Sequence, residues 1–224
     1  IEEKADLGIA PDGDGDRVFF IDEKGEVIPA SITTAIIIRE ILKKYPGEKM
    51  GFDIRYIWSP LKATIDNGGI PVITQVGHAL ITETMLKEHL FYAGESSGHN
   101  YWRFAGGAES TIAVILTILD TLSKTGKKIS EIVAEVSASS ESGEMNFKLQ
   151  NTDEAKNKID LFKETFKDGE VSLIDGLSVE YEDWRFNLRA SNTEPLIRLN
   201  IEAKTKELTQ EKSDELSKLI LSKE

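Results

Sequence analysis

Cysteine is absent from the 224 residues, which excludes a disulfide framework and thiol chemistry and fits the cytosol. Long apolar runs are absent too. Stretches such as Ile112–Leu116 fall far short of the roughly 20 residues that a membrane-spanning helix needs. No secretory signal pattern is visible. Positive charge is scarce: 27 Lys and Arg face 39 Asp and Glu, a formal net charge of −12. That balance argues against nucleic acid or an anionic membrane as the main partner, while leaving room for local basic clusters that bind small anions. What is present, 40% hydrophobic and 29% charged residues, is ordinary for a globular protein with about two domains. The chain begins at Ile1 without methionine and enters a strand-like segment almost at once, so a piece of a longer or processed protein is expected.

From Ser31 to about Ser137, strand-like and helix-like segments alternate. Ser31 is expected to cap a helix with apolar Ile32, Ala35, Ile36, Ile38 and Leu42, stopped by Pro46-Gly47. Met50–Ile54 reads as a short buried strand, and Ser59-Pro60 as the cap and first turn of a helix ending near Gly68-Gly69. Strands at Ile70–Val76 and Phe91–Ala93 flank a helix at Leu80–His89; helices follow over Ala108–Lys124 and from Ser130. Repeated β-α units predict an α/β domain whose sheet is mixed but largely parallel, with helices on both faces and ligands at the carboxyl ends of its strands. Ser139–Gly143 reads as a linker. Beyond it, strands near Asn146–Leu149, Val171–Ile174, Ser178–Glu182, Arg185–Arg189 and Ile197–Glu202, with helices at Glu154–Phe166 and Lys206–Ser222, predict a separate α+β domain.

Four loops can carry chemistry. In Asp12-Gly13-Asp14-Gly15-Asp16-Arg17, three carboxylates at alternate positions direct oxygens at one point, which suits a hard cation such as Mg²⁺ or Ca²⁺. The fork of Arg17 suits a phosphorylated ligand beside that ion. An EF-hand alignment places Asp12, Asp14, Asp16 and Glu23 at loop positions 1, 3, 5 and 12, but Arg17 stands where glycine is needed and the flanks read as strand and turn. The bland alternative is an acidic turn without an ion. Gly94–His99 follows a strand; in extended backbone Glu95, Ser97 and His99 would share one side, a set suited to sugar hydroxyls, against a plain glycine-rich turn. His78, after Gly77 at a strand-to-helix junction, can contact a phosphate or move a proton, although a lone histidine is more often structural. Arg55 ends a strand at the same edge, and an exposed arginine alone means little. Arg189-Ala190-Ser191-Asn192-Thr193-Glu194-Pro195 joins two strands, with a guanidinium, hydroxyls, an amide and backbone N–H groups for a phosphate, or else forms a polar turn.

In order, nature and spacing, these motifs resemble those of the α-D-phosphohexomutase family, the phosphomannomutase/phosphoglucomutase enzymes, essentially from end to end. The resemblance implies that residues 1–27 are the tail of domain 2 with the metal loop, 28–141 the α/β sugar-binding domain 3, and 142–224 an α+β, TATA-binding-protein-like domain 4. It implies a phosphoryl exchange between the 1- and 6-positions of a hexose through a hexose 1,6-bisphosphate. Asp12, Asp14 and Asp16 would hold Mg²⁺; Arg17, His78 and His99 would be catalytic; and Arg55, Glu95, Ser97, Arg189, Ser191, Asn192 and Thr193 would bind substrate. The family's phosphoserine belongs to domain 1, and no serine here occupies that motif, so the chain alone is expected to be inactive without the N-terminal domains. Ser96 often gives way to a larger residue in relatives, and Asn192 leans toward phosphomannomutase/phosphoglucomutase over phosphoglucosamine mutase. The alternatives are a non-catalytic phosphosugar-binding module completed by a partner chain, and a Ca²⁺-binding structural protein.

Overall fold

The computed structural model describes residues 1–191 and 194–222, without the side chain of Thr152. By its internal contacts the chain divides into two units, one of Ile1–Asp53 and Ile57–Ala138, the other of Ile54–Tyr56 and Ser139–Glu224.

The first unit opens with an antiparallel meander of β1 (Gly8–Pro11), β2 (Val18–Ile21) and β3 (Val27–Ile28), in which Pro11 pairs with Val18 and the loop Asp12–Arg17 closes the hairpin. Helix α1 (Ala30–Lys44) follows directly. Ser31 does not cap it. The N-cap is Pro29, whose carbonyl accepts from Thr33, and Ser31 lies buried as the second residue of the helix. Then come β4 (Lys49–Asp53), α2 (Trp58–Asp66), β5 (Ile70–Thr74), α3 (His78–Glu88), β6 (Tyr92–Gly94), β7 (Asn100–Trp102), a turn of 3₁₀ helix, α4 (Thr111–Thr125) and α5 (Ile129–Val136). Ser59 is likewise inside α2 rather than at its cap; its hydroxyl accepts from the Ala138 N–H instead.

The sheet runs β5-β4-β6-β7, with the first three strands parallel and β7 antiparallel at the edge. Alternation along β6 shows helices on both faces. Ala93 joins Ile81 and Met85 of α3 in one buried cluster, while Gly94 faces Thr34 of α1 so closely that an added Cβ would sit 2.0 Å from its Oγ1. The chain passes from β4 to β5 on one side and returns to β6 on the other, so the strand order reverses beside β4, where such sheets bind ligands. Residues 108–110, expected to be helical, instead run beside β7: Glu109 bridges to Tyr101, and Ser110 N–H donates to the Asn100 carbonyl.

The second unit contains β8 (Ser140–Glu141), β9 (Met145–Lys148), α6 (Thr152–Thr165), β10 (Glu170–Ser172), β11 (Leu177–Glu180), β12 (Trp184–Ala190), β13 (Leu196–Ala203) and α7 (Lys206–Leu221). Its antiparallel sheet runs β10-β11-β12-β13-β8, and β9 also pairs with β13. The expected linker is thus a paired strand: Glu141 lies opposite Glu202, and Ser142 exchanges hydrogen bonds with the backbone of Ile201. Its small hydroxyl residues look like loop in sequence because their strand pairing is with a distant strand. One sheet face is apolar: Leu177, Val179, Phe186, Leu188, Ile197, Leu199 and Ile201 pack with Phe162 of α6 and with Leu216 and Ile220 of α7. Each such buried side chain contributes about 1.5–3 kcal/mol of transfer free energy. The alternate residues of the same strands make the other face polar, with Arg185, Asn187, Arg189, Asn200 and Glu202 all buried. Ile54–Tyr56 belongs to that face: Arg185 donates to the carbonyls of Ile54 and Arg55, both at 2.9 Å, and Asn200 donates to the Tyr56 hydroxyl. Among the described residues no helix is long and apolar enough to cross a membrane.

Candidate active site

Asp12 organises the acidic loop. Its Oδ1 accepts from the N–H groups of Gly15 and Arg17 at 3.1 and 3.2 Å, and its Oδ2 from Arg17 Nε at 2.6 Å. Gly15 supplies the positive φ (77°) that the turn requires. Desolvation pushes the Asp12 carboxyl upward, but the bonds and charge of Arg17, with the Gly15 N–H, outweigh it and hold Asp12 below its ordinary value. Thr111, opening α4, donates to the Gly15 carbonyl at 2.6 Å and ties the loop to that helix. The result brings oxygens of Asp12, Asp14 and Asp16 within 4.8 Å of one another. Asp16 Oδ1 is buried with no hydrogen-bond partner, as expected of a ligand oxygen held for a cation.

The Gly94–His99 segment is a turn rather than extended backbone. Glu95 N–H donates to the His99 carbonyl and Gly98 N–H to the Glu95 carbonyl. Gly98, at φ 99°, lies against the Phe19 ring, where an added Cβ would come within 2.9 Å. Asp53, at the end of β4, accepts from the Ser96 N–H and so fixes the turn over the switch point. Buried Glu95 accepts from the Tyr101 hydroxyl at 3.2 Å. Burial, reinforced by Glu95, Glu109 and Asp16, drives the Tyr101 phenol upward, so it stays a donor. Ser97 Oγ is buried without a hydrogen-bond partner.

Arg17 bridges to His99, which draws the acidic loop and the turn together. His99 Nδ1 lies 3.8 Å from Asp16 and 3.5 Å from Glu109, and His78, at the start of α3, places Nδ1 2.5 Å from the same Glu109 oxygen. Tyr101 packs against both imidazoles. The first unit therefore assembles Asp12, Asp14, Asp16, Arg17, His78, Glu95, Ser97 and His99 around Glu109, Asp53 and Tyr101. The last three escaped the sequence reading. Glu109 precedes a helix and resembles any first-turn acid, while Tyr101 lies in a strand that was not foreseen.

In the second unit Arg189 and Arg198 lie directly opposite on β12 and β13. Arg189 meets Glu144 at 3.0 Å and Asp175 at 3.6 Å; Arg198 and Arg55 meet the same Glu144 at 3.2 and 3.6 Å. Gly176, at φ 68°, lets the backbone lie against Arg189, where a Cβ would sit 2.4 Å from the Leu188 carbonyl oxygen. Ser191 turns the loop: its N–H donates to the Leu196 carbonyl, and its hydroxyl accepts from the Glu194 N–H. Asn192 and Thr193 lie outside the described residues. The arrangement clusters guanidinium groups beside a tight loop, a site suited to a multivalent anion.

Fold and site together describe an α/β unit with a carboxylate loop and a glycine-flanked turn carrying buried Glu95, and an α+β unit with an arginine cluster. Residues 30–139 match the family model for the phosphoglucomutase/phosphomannomutase alpha/beta/alpha domain III, and residues 131–219 the model for the phosphoglucomutase/phosphomannomutase C-terminal domain. The chain belongs to this α-D-phosphohexomutase family. It is 40% identical over 224 residues to a phosphomannomutase of Vibrio cholerae, covering 98% of this chain and 48% of that protein. It is 38% identical over 219 residues to a phosphomannomutase of Methanocaldococcus jannaschii, covering 98% and 48%. A phosphoglucomutase/phosphomannomutase family protein of Burkholderia thailandensis shares its fold with a TM-score of 0.81 at 26% identity, over 96% of this chain and 47% of that one. The chain spans about half the length of the curated relatives it matches.

Proposed function

We propose that this chain is the metal-, sugar- and phosphate-binding part of a Mg²⁺-dependent phosphohexomutase that interconverts hexose 1-phosphate and hexose 6-phosphate, mannose or glucose, through a hexose 1,6-bisphosphate. The observation that carries the reading is the meeting of the Asp12–Arg17 loop with the Gly94–His99 turn, two motifs some eighty residues apart, through the Arg17–His99 bridge. Asp12, Asp14 and Asp16 would hold Mg²⁺, a hard ion matched by their oxygens, which when bound offsets charge on the transferring phosphoryl group. Arg17 supplies a fixed positive fork at that group. Glu95 and Ser97 bind sugar hydroxyls, Glu95 as an acceptor and Ser97 through its unpartnered hydroxyl. His78 and His99, both beside Glu109, are placed to take or give a proton at a sugar hydroxyl. Arg55, Arg189, Ser191, Asn192 and Thr193 hold the phosphate that does not react.

The 224 residues contain no serine in a phosphoserine motif, so on this reading they bind phosphosugars without turning them over and act with N-terminal domains of the mutase. A cytoplasmic location belongs to the same reading, supported by the absence of cysteine. Calorimetric titration with glucose 1-phosphate and mannose 6-phosphate tests it. Dissociation constants on the order of millimolar, lost in Arg189→Ala, are expected. Equal binding by the Arg189→Ala chain would refute the phosphate site, and enzyme-like isomerisation of mannose 1-phosphate by the chain alone would refute its dependence on a separate phosphoserine.

A further inference from the structure

Two arginines directly opposite on neighbouring strands repel, and sheets avoid such pairs. Arg189 and Arg198 form one, with Arg55 beside them. The second unit tolerates it because one carboxylate spans all three: Glu144 Oε2 faces Arg189 Nη2 at 3.0 Å and Arg55 Nη1 at 3.6 Å, while Oε1 faces Arg198 Nη1 at 3.2 Å. Arg55 and Arg189 are buried, yet the Glu144 side chain is 25% exposed and stands just ahead of β9, where it can swing out to water. Arg198 Nε is buried with no hydrogen-bond partner, so the cluster's donors are not exhausted by the carboxylates.

We infer that Glu144 is an internal placeholder in the anion site, occupying guanidinium donors that a bound phosphate takes over and thereby setting the site's preference for dianions. The inference rests on the phosphate-site reading above. Charge accounting supports it. Three guanidiniums against Glu144 and Asp175 leave one positive charge in a chain of net −12. A phosphate dianion that displaces Glu144 brings these groups to neutrality. A monoanion in the same place leaves the excess unchanged and gains nothing over a carboxylate already tethered at high effective concentration. A neutral hydroxyl fares worse still.

The test is calorimetric titration of the full chain, its Glu144→Gln and Glu144→Asp variants and Arg189→Ala with inorganic phosphate and with nitrate, at mildly alkaline pH where phosphate is a dianion. Removing a like charge from beside the ligand is expected to tighten phosphate binding by about tenfold or more in Glu144→Gln. Nitrate binding, negligible in the parent chain, should become measurable. Glu144→Asp, which keeps the charge but is too short to span the cluster, should fall between them, and it decides the matter if the glutamine variant does not fold. Phosphate binding in both variants that is equal to or weaker than that of the parent overturns the placeholder role while leaving the phosphate site standing. No phosphate binding by any chain, with Arg189→Ala indistinguishable from the parent, overturns both readings.

Discussion

Replacing Arg185 with methionine should cost the second unit about 4–6 kcal/mol, a large share of the stability of any domain. Arg185 is 1% exposed, and its partner Glu202 is fully buried at 3.1 Å. Taking away one member of a buried pair strands the other charge, which typically costs about 3–5 kcal/mol. The carbonyls of Ile54 and Arg55 lose their donor as well, at roughly 0.5–1.5 kcal/mol each, partly recovered by relaxation. Glu202 keeps its bond from the Ser139 hydroxyl. The double variant Arg185→Met, Glu202→Leu removes both charges and leaves a sheet face of similar volume, so it should recover about half or more of the loss. Urea unfolding followed by circular dichroism, assembled into a double-mutant cycle, should then give a coupling of about 2–4 kcal/mol. A loss below about 1 kcal/mol in Arg185→Met, or strict additivity in the cycle, would refute the view that this ion pair holds Ile54–Tyr56 to the sheet.

Two further outcomes follow from the packing. Burial raises the phenols of Tyr56, Tyr92 and Tyr101 far above 10.0, and desolvation with the Asp168 carboxylate brings Tyr181 up to about 12. Because the folded values lie above the ordinary one, their contribution to stability is intact below pH 10.0 and is lost as pH rises through the folded values. Absorbance at the tyrosinate band should therefore rise at higher pH in the native chain than in guanidinium, and coincident curves would contradict this. Gly94→Ala should destabilise the first unit by about 1–3 kcal/mol, since its Cβ would collide with Thr34 at an ordinary φ, and pairing it with Thr34→Ala should restore only part of the loss, because the Cβ of residue 34 would remain 2.8 Å away; a thermal midpoint unmoved by Gly94→Ala would disprove the close approach.

Sequence alone determined much of this protein. Periodicity located α1, α3, α6 and α7 and strands such as β4, β5, β12 and β13, because burying one face of a helix or strand leaves a repeat that can be read from neighbours along the chain. Spacing singled out Asp12, Asp14 and Asp16, because carboxylates at alternate positions of a short loop can bring their oxygens close together. Helix starts differ from expectation at Ser31, Ser59 and Ala108: Pro29 is the N-cap of α1, Ile57 that of α2, and pairing with β7 keeps residues 108–110 out of α4. Tertiary structure decided what distance along the chain concealed. Ser140 and Glu141 became a strand only because β13 offered an edge some sixty residues on. Glu109 met two histidines because β7 folded back on β6, and Glu144 met three arginines because strand register set Arg189 opposite Arg198. A carboxylate's role depends on the charges around it in space, and no one-dimensional pattern records which distant side chains those are.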